Sequence, residues 1–162
     1  MTAKYTLGID PGMKGGWAAT EKGTGKYAGG GRMPTEPYGK RRRVDVIKWR
    51  KQLQDLRGDV VEACVEMVWS SPQMGVASAF SFGMAQGAAL SFVQGYGLTP
   101  HLVTPQLWKG WYILSSDKQD SLDMCKDLWP EQLDLWNVRA NDGIAEAALI
   151  SRWLDSRETY EI

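Results

Sequence analysis

Residues 4–10, KYTLGID, alternate Tyr5, Leu7 and Ile9 with Lys4, Thr6, Gly8 and Asp10, a period of two that predicts a strand ending in an acid. PGMKGG then turns the chain. GWAATEK and GKYAGGGRM follow, punctuated by Gly23, Gly25 and Gly29 to Gly31, and predict two more short strands in an antiparallel meander. Over 44–57, VDVIKWRKQLQDLR, residues Val46, Ile47, Arg50, Leu53 and Gln54 fall on neighbouring turns, with Trp49 and Leu56 widening the apolar stripe. This predicts a helix stopped by Gly58. Residues 60–68, VVEACVEMV, form a nearly continuous apolar run broken only by Glu62 and Glu66, as a central strand covered on both faces requires. A loop over 70–78, a helix rich in small residues over 79–94, a short strand over 99–103 and helices over 118–128 and 142–157 complete the pattern. Its sum is an α/β domain over 1–162: a mixed five-stranded sheet, three antiparallel strands first and then parallel strands, flanked by helices.

Composition narrows the picture. At 162 residues and 18.1 kDa the chain has room for one sizeable core, so two-domain enzyme architectures are excluded. Net charge is zero, but residues 1–111 carry 14 basic and 8 acidic side chains, whereas 112–162 carry 5 and 11. Such asymmetry predicts a surface that faces a polyanion. The two cysteines, Cys64 and Cys125, have none of the spacings of a zinc site or a disulfide framework, which points to a reduced, cytoplasmic protein. MTAKYTLGID carries no signal-type apolar segment, and eighteen consecutive apolar residues occur nowhere, so neither secretion nor a membrane is expected. Most of the eight tryptophans are expected to anchor the core, leaving one or two as stacking surfaces.

Carboxylates carry the candidate chemistry. Asp10 closes the first strand and Glu66 lies near the end of the buried one; if the two are parallel neighbours, both acids emerge at one carboxyl edge, where ligands of open α/β sheets bind. Asp142 and Glu146 stand one turn apart on the last helix, and Ala145, Ala147 and Ala148 allow that helix to approach the sheet. Taken singly, Asp10 reads as a turn acid, Asp142 as a helix cap, Glu146 as a complement to the helix dipole and Glu62 as a solvated residue at the strand entry. Glu66, between Val65 and Met67, needs a partner. Together the acids call for a cation, and an oxygen-only donor set selects magnesium or manganese over zinc.

LGIDPG at 7–12, VEMVW at 65–69, FSFGMAQG at 80–87, VTPQLWK at 103–109, SSDK at 115–118 and DGIAEAALI at 142–150 occur in order. As a set they resemble the RuvC-type Holliday junction resolvases of the RNase H-like superfamily, above all the short phage-type members, over about residues 5–155. The resemblance implies a homodimeric, magnesium-dependent endonuclease, with manganese substituting, that nicks opposed strands of a four-way DNA junction. It maps the family's acidic residues onto Asp10, Glu66, Asp142 and Glu146. Cellular members place two aspartates three apart where this chain has Asp142 and Glu146 four apart, so both stand as candidates for the more direct ligand. Its basic active-site positions correspond to Lys109 and Lys118, and its aromatic residue three beyond the strand glutamate to Trp69. Two cations roughly 4 Å apart, clamped by the carboxylates with Asp10 shared, would activate water and stabilise the leaving oxygen. Lys118 adds positive charge near the scissile phosphate.

The basic run KRRRVDVIKWRK at 40–51 holds seven basic residues and one acid, and Arg41, Arg42 and Arg43 are candidate phosphate contacts beside that site. The small residues Gly83, Ala85, Gly87, Ala88 and Ala89 make the helix over 79–94 the candidate dimer helix that the resemblance implies. His101, before Leu102 and Val103, reads as structural. Three other readings compete: an ATP-binding protein of the sugar-kinase and actin-like group, which needs a second domain; a branched-DNA nuclease of broader specificity; and a junction-binding protein without catalysis.

Overall fold

The computed structural model describes residues 2–158. The chain runs β1 (Ala3–Asp10), β2 (Gly16–Glu21), β3 (Tyr27–Arg32), β4 (Thr35–Tyr38), β5 (Arg41–Val44), α1 (Val46–Leu53), β6 (Gly58–Glu66), α2 (Val76–Gly95), β7 (His101–Val103), α3 (Pro105–Tyr112), α4 (Lys118–Leu128), α5 (Leu133–Trp136) and α6 (Asp142–Glu158). Five strands form one sheet in the order β3-β2-β1-β6-β7. The first three are antiparallel; β6 runs parallel to β1, and β7 parallel to β6. This is the mixed sheet that the pattern predicts.

The basic run over 40–51 begins with a strand that the pattern did not predict, ahead of the helix expected over 44–57. Residues Arg41–Val44 pair with Thr35–Tyr38 as an antiparallel hairpin turned by Gly39, whose φ of 59° is the left-handed conformation that glycine adopts without strain. The helix starts only at Val46, because Asp45 caps it by accepting from the Lys48 amide at 2.9 Å, and it ends at Leu53 rather than Arg57. Three consecutive arginines carry no apolar alternation, so 41–43 give no strand signal in the sequence. Elsewhere β6 stops at Glu66 rather than 68, β7 begins at His101 rather than 99, and α2 begins three residues early, at Val76. Helix α3 was not predicted, although Thr104 followed by Pro105 is a start signal: the Thr104 hydroxyl accepts from the Leu107 amide at 3.3 Å.

Strand parity positions the acids. Leu7 and Ile9 of β1, with Ala63 and Val65 of β6, join Trp49 of α1 and Phe92 and Val93 of α2 in one core layer. The intervening Cys64 belongs to the opposite layer, with Trp108, Trp129, Trp136 and Trp153 and the alanines of α6. Side chains alternate across a strand, so Gly8 and Asp10 of β1, and Cys64 and Glu66 of β6, share the face that α6 covers. Six tryptophans are buried, whereas Trp69 and Trp111 are exposed.

Helix α6 lies unusually close to β1. A Cβ at Gly8 would collide with the Ala147 carbonyl and lie 2.6 Å from the Ser151 amide, both backbone atoms that cannot step aside. Gly8→Ala is therefore expected to lower stability by about 1–3 kcal/mol, the usual range for overpacking. It should also push Glu146 away from Asp10. Thermal melting and manganese titration of the variant check both effects.

Candidate active site

Because β1 and β6 are parallel neighbours with Ile9 opposite Val65, Asp10 and Glu66 emerge side by side at the carboxyl edge. Glu146, on the second turn of α6, meets them there. One oxygen from each of Asp10, Glu66 and Glu146 can be chosen so that all three lie within 4.8 Å of one another. Glu66 and Glu146 are buried, and Asp10 is half-buried at the mouth of the site.

Three carboxylates so close repel one another. Removal from water pushes the Asp10 carboxyl well above its usual range, and Glu146 and Glu66, the former also hydrogen-bonded to Asp10, add to the effect, against a smaller opposing pull from Lys118. Burial likewise raises Glu66 to about 7, against a hydrogen bond from Trp108. That bond runs from the indole Nε1 to Glu66 Oε2 at 2.6 Å. Lys109 Nζ lies 3.2 Å from Glu146 Oε1 and 5.3 Å from the centre of the Trp108 ring. Of the three acids, Glu146 is the one that Lys109 pairs with directly.

The fourth acid is placed differently. Asp142 is not part of the close trio; its Oδ2 lies 2.8 Å from Lys118 Nζ, and this hydrogen bond is the first cause of the raised Lys118 pKa. Lys118 itself follows the Asp117 cap of α4 and is mostly exposed. Glu62 shares the face of Glu66 but lies four residues back along β6, where it accepts from the Thr6 hydroxyl at 2.8 Å and Lys22 at 2.6 Å.

A cavity of about 660 Å³ opens on Asp10, Glu66 and Glu146 and is also walled by Lys14, Arg41 and Lys118. Arg41 holds its place by donating to the Ala77 carbonyl at 3.3 Å, with its guanidinium 6.0 Å from the Phe80 ring centre. Arg42 and Arg43 turn back onto the hairpin instead: Arg42 donates to Thr35, and Arg43 pairs with Glu36 at 2.8 Å. Trp69 stands three residues past Glu66 with 71% of its surface exposed. The chain leading to it is pinned by Gln86 of α2, whose side chain accepts from the Val68 amide at 2.9 Å and donates to the Glu66 carbonyl at 3.2 Å.

Sequence reasoning missed Gln86 and Trp108. Gln86 falls in the small-residue helix and carries no signal of its own. Trp108 stands directly before Lys109, but a buried indole facing an acid is a tertiary fact.

No protein-family model and no curated protein matches the chain. Solved structures do. RuvC of Thermus thermophilus in complex with a Holliday junction substrate superposes with a TM-score of 0.61 at 18% identity, covering 97% of this chain and 96% of that one. Another structure of Thermus thermophilus RuvC gives 0.55 at 17% identity, covering 96% of each chain. The chain has the RuvC-type, RNase H-like fold over nearly its whole length.

Proposed function

We propose that the chain is a divalent-metal-dependent endonuclease that resolves four-way DNA junctions by paired nicks in opposed strands. The observation that carries this reading is the convergence of Asp10, Glu66 and Glu146 at the carboxyl edge of a RuvC-type sheet, inside a cavity rimmed by lysine and arginine. The donor set fits a hard cation: it is all carboxylate oxygen, crowded, and compensated by too little positive charge. Asp10, Glu66 and Glu146 would hold magnesium or manganese, with Asp142 one turn away as a further ligand. Two such ions would supply the charge that activates water and offsets charge developing on the leaving oxygen.

The remaining residues bind and orient the DNA. Lys118 and Lys109 set positive charge on either side of the acids, and Lys14 and Arg41 contact phosphates at the cavity wall. Arg42 and Arg43 extend the same basic surface along the hairpin. Trp69 stacks on an unpaired base at the junction centre. Such stacking is worth about 1–3 kcal/mol per base. Trp69→Ala should therefore weaken junction cleavage at limiting enzyme and reduce base unstacking, read with a fluorescent base analogue. Its melting temperature should stay near that of the wild type, since an exposed indole stabilises little.

A second copy completes the assembly. Helix α2 is long and apolar enough, by length and composition alone, to cross a membrane. Its inner face packs Ala85, Ala89, Phe92 and Val93 on the core, while Val76, Phe80, Gly83 and Gly87 are exposed along the opposite side. Added Cβ atoms at Gly83 and Gly87 would meet open space, which lets another helix approach closely. We assign this face to a two-fold partner, which would set two sites facing opposed strands. Sedimentation should give about 36 kDa, twice the 18.1 kDa chain, and Gly87→Leu should yield monomers whose two nicks are uncoupled. A monomeric wild type that still nicks opposed strands in pairs would refute the assignment.

The decisive experiment is cleavage of four-way junctions, Y-structures, flaps and linear duplex with magnesium, with manganese and with chelator. Paired opposed nicks in the four-way junction, lost on chelation, are expected. Equal cutting of flaps and Y-structures would favour a broader branched-DNA nuclease, and tight binding with no cutting in either metal a junction-binding protein.

A further inference from the structure

We propose that Trp108 is a positioning residue for the metal centre, its indole N–H fixing the orientation of the Glu66 carboxylate. The inference rests on the nuclease reading above and adds a residue that does not itself touch metal or DNA.

The geometry is specific. Trp108 is fully buried and donates to Glu66 Oε2 at 2.6 Å. Indole is a donor only, so this nitrogen is satisfied by an acceptor or by nothing. The other buried tryptophans whose bonds are seen use neutral oxygens: Trp17 donates to the Gln52 side-chain carbonyl, Trp129 to the Gly25 carbonyl and Trp136 to the Trp129 carbonyl. Those bonds satisfy a core anchor. Trp108 alone among these four spends its donor on a carboxylate of the candidate site.

The position is also rigid. Helix α3 begins at the Thr104 cap and Pro105, so Trp108 and Lys109 project from a short helix whose start is fixed. From there Trp108 reaches Glu66 and Lys109 reaches Glu146, with the ammonium standing over the indole ring. One dipeptide therefore holds two of the three acids. By occupying Oε2, the indole stops the Glu66 carboxylate from rotating and leaves its other oxygen for a cation. A ligand already oriented loses less freedom on binding, and the groups that orient metal ligands typically matter 10–100-fold in affinity.

The test needs no DNA. Manganese binding to the purified full-length protein is followed by electron paramagnetic resonance of the free ion. Trp108→Phe keeps an aromatic ring and removes the donor; Trp108→His keeps an N–H at the ring position equivalent to the indole nitrogen but loses the second ring. We expect Trp108→Phe to bind manganese about 10–100-fold more weakly and Trp108→His to recover most of that loss, although its core is the more heavily truncated. Wild-type affinity in Trp108→Phe, or equal losses in the two variants, would overturn the proposal and leave Trp108 a packing residue. Should Trp108→Phe fail to fold, the wild-type protein decides. The Trp108 indole resonance should lie downfield of the other seven and shift as magnesium is added. An indole signal unmoved by saturating magnesium would equally overturn it. A wild type that binds no manganese and cuts no branched DNA would instead remove the nuclease reading itself.

Discussion

Asp10→Asn and Glu66→Gln are each expected to lower junction cleavage by at least about a thousandfold, roughly 4 kcal/mol of transition-state stabilisation at 1.36 kcal/mol per decade. Both substitutions keep the shape of the side chain and remove the charge that a cation needs. Asp10 stands at the end of β1 and Glu66 at the end of its parallel neighbour, each within reach of Glu146, so the loss of either leaves two carboxylates where three converged. Junction binding should change little, because the phosphate contacts proposed above fall to Lys14, Arg41 and Lys118, which line the cavity and are unchanged in both variants. Stability without metal should rise, since each variant removes one buried charge and the like-charge repulsion that, after burial itself, lifts the Asp10 pKa. Single-turnover cleavage, junction binding in chelator and thermal melting separate these effects. Wild-type cleavage in Asp10→Asn would remove Asp10 from the centre. A comparable loss in Glu62→Gln would show that charge anywhere on β6 matters, since Glu62 is tied to Thr6 and Lys22 away from the cluster.

The acids were legible because strand arithmetic is simple. Alternation marks Asp10 as the last residue of β1, and a lone acid in an apolar run marks Glu66; a parallel pairing then suffices to bring them together. Glu146 was legible only as one of a pair. Which of Asp142 and Glu146 turns inward depends on the rotation and depth of α6, and these follow from contacts between distant segments. Gly8 admits the Ala147 backbone, a Cβ at Gly16 would lie 2.8 Å from the Gly143 backbone, and Lys118 draws Asp142 to the rim. The hairpin over Thr35–Val44 was illegible for the opposite reason. It is held by backbone pairing and by Arg42 and Arg43 bonded to Thr35 and Glu36, and it buries almost nothing apolar that a pattern could register. Trp69 was placed correctly at the surface from its position beyond the strand end, whereas Trp108 looked like any other buried anchor.

The metal-free protein is expected to lose stability as pH rises from 5 to 8, and magnesium is expected to cancel most of that loss. Burial raises the Glu66 carboxyl from 4.5 to about 7, so the folded state favours its protonated form. A group with a raised folded pKa contributes stability that is fully present below its unfolded pKa and is lost as pH climbs through the folded value. For Glu66 that window runs from about 4.5 to about 7, and at 1.36 kcal/mol per pH unit the loss is about 3 kcal/mol. Asp10 shifts in the same direction and deepens the fall. In a chain of this size each kcal/mol moves the melting temperature by roughly 2–4 °C, so the metal-free protein should melt about 6–12 °C lower at pH 8 than at pH 5. Magnesium binds the ionised carboxylates, so its stabilising effect should grow over the same pH interval. Glu66→Gln should flatten the metal-free profile while leaving the slope due to Asp10. A profile that does not fall towards pH 8 in chelator would mean that the three carboxylates are not crowded in solution as they are in this fold.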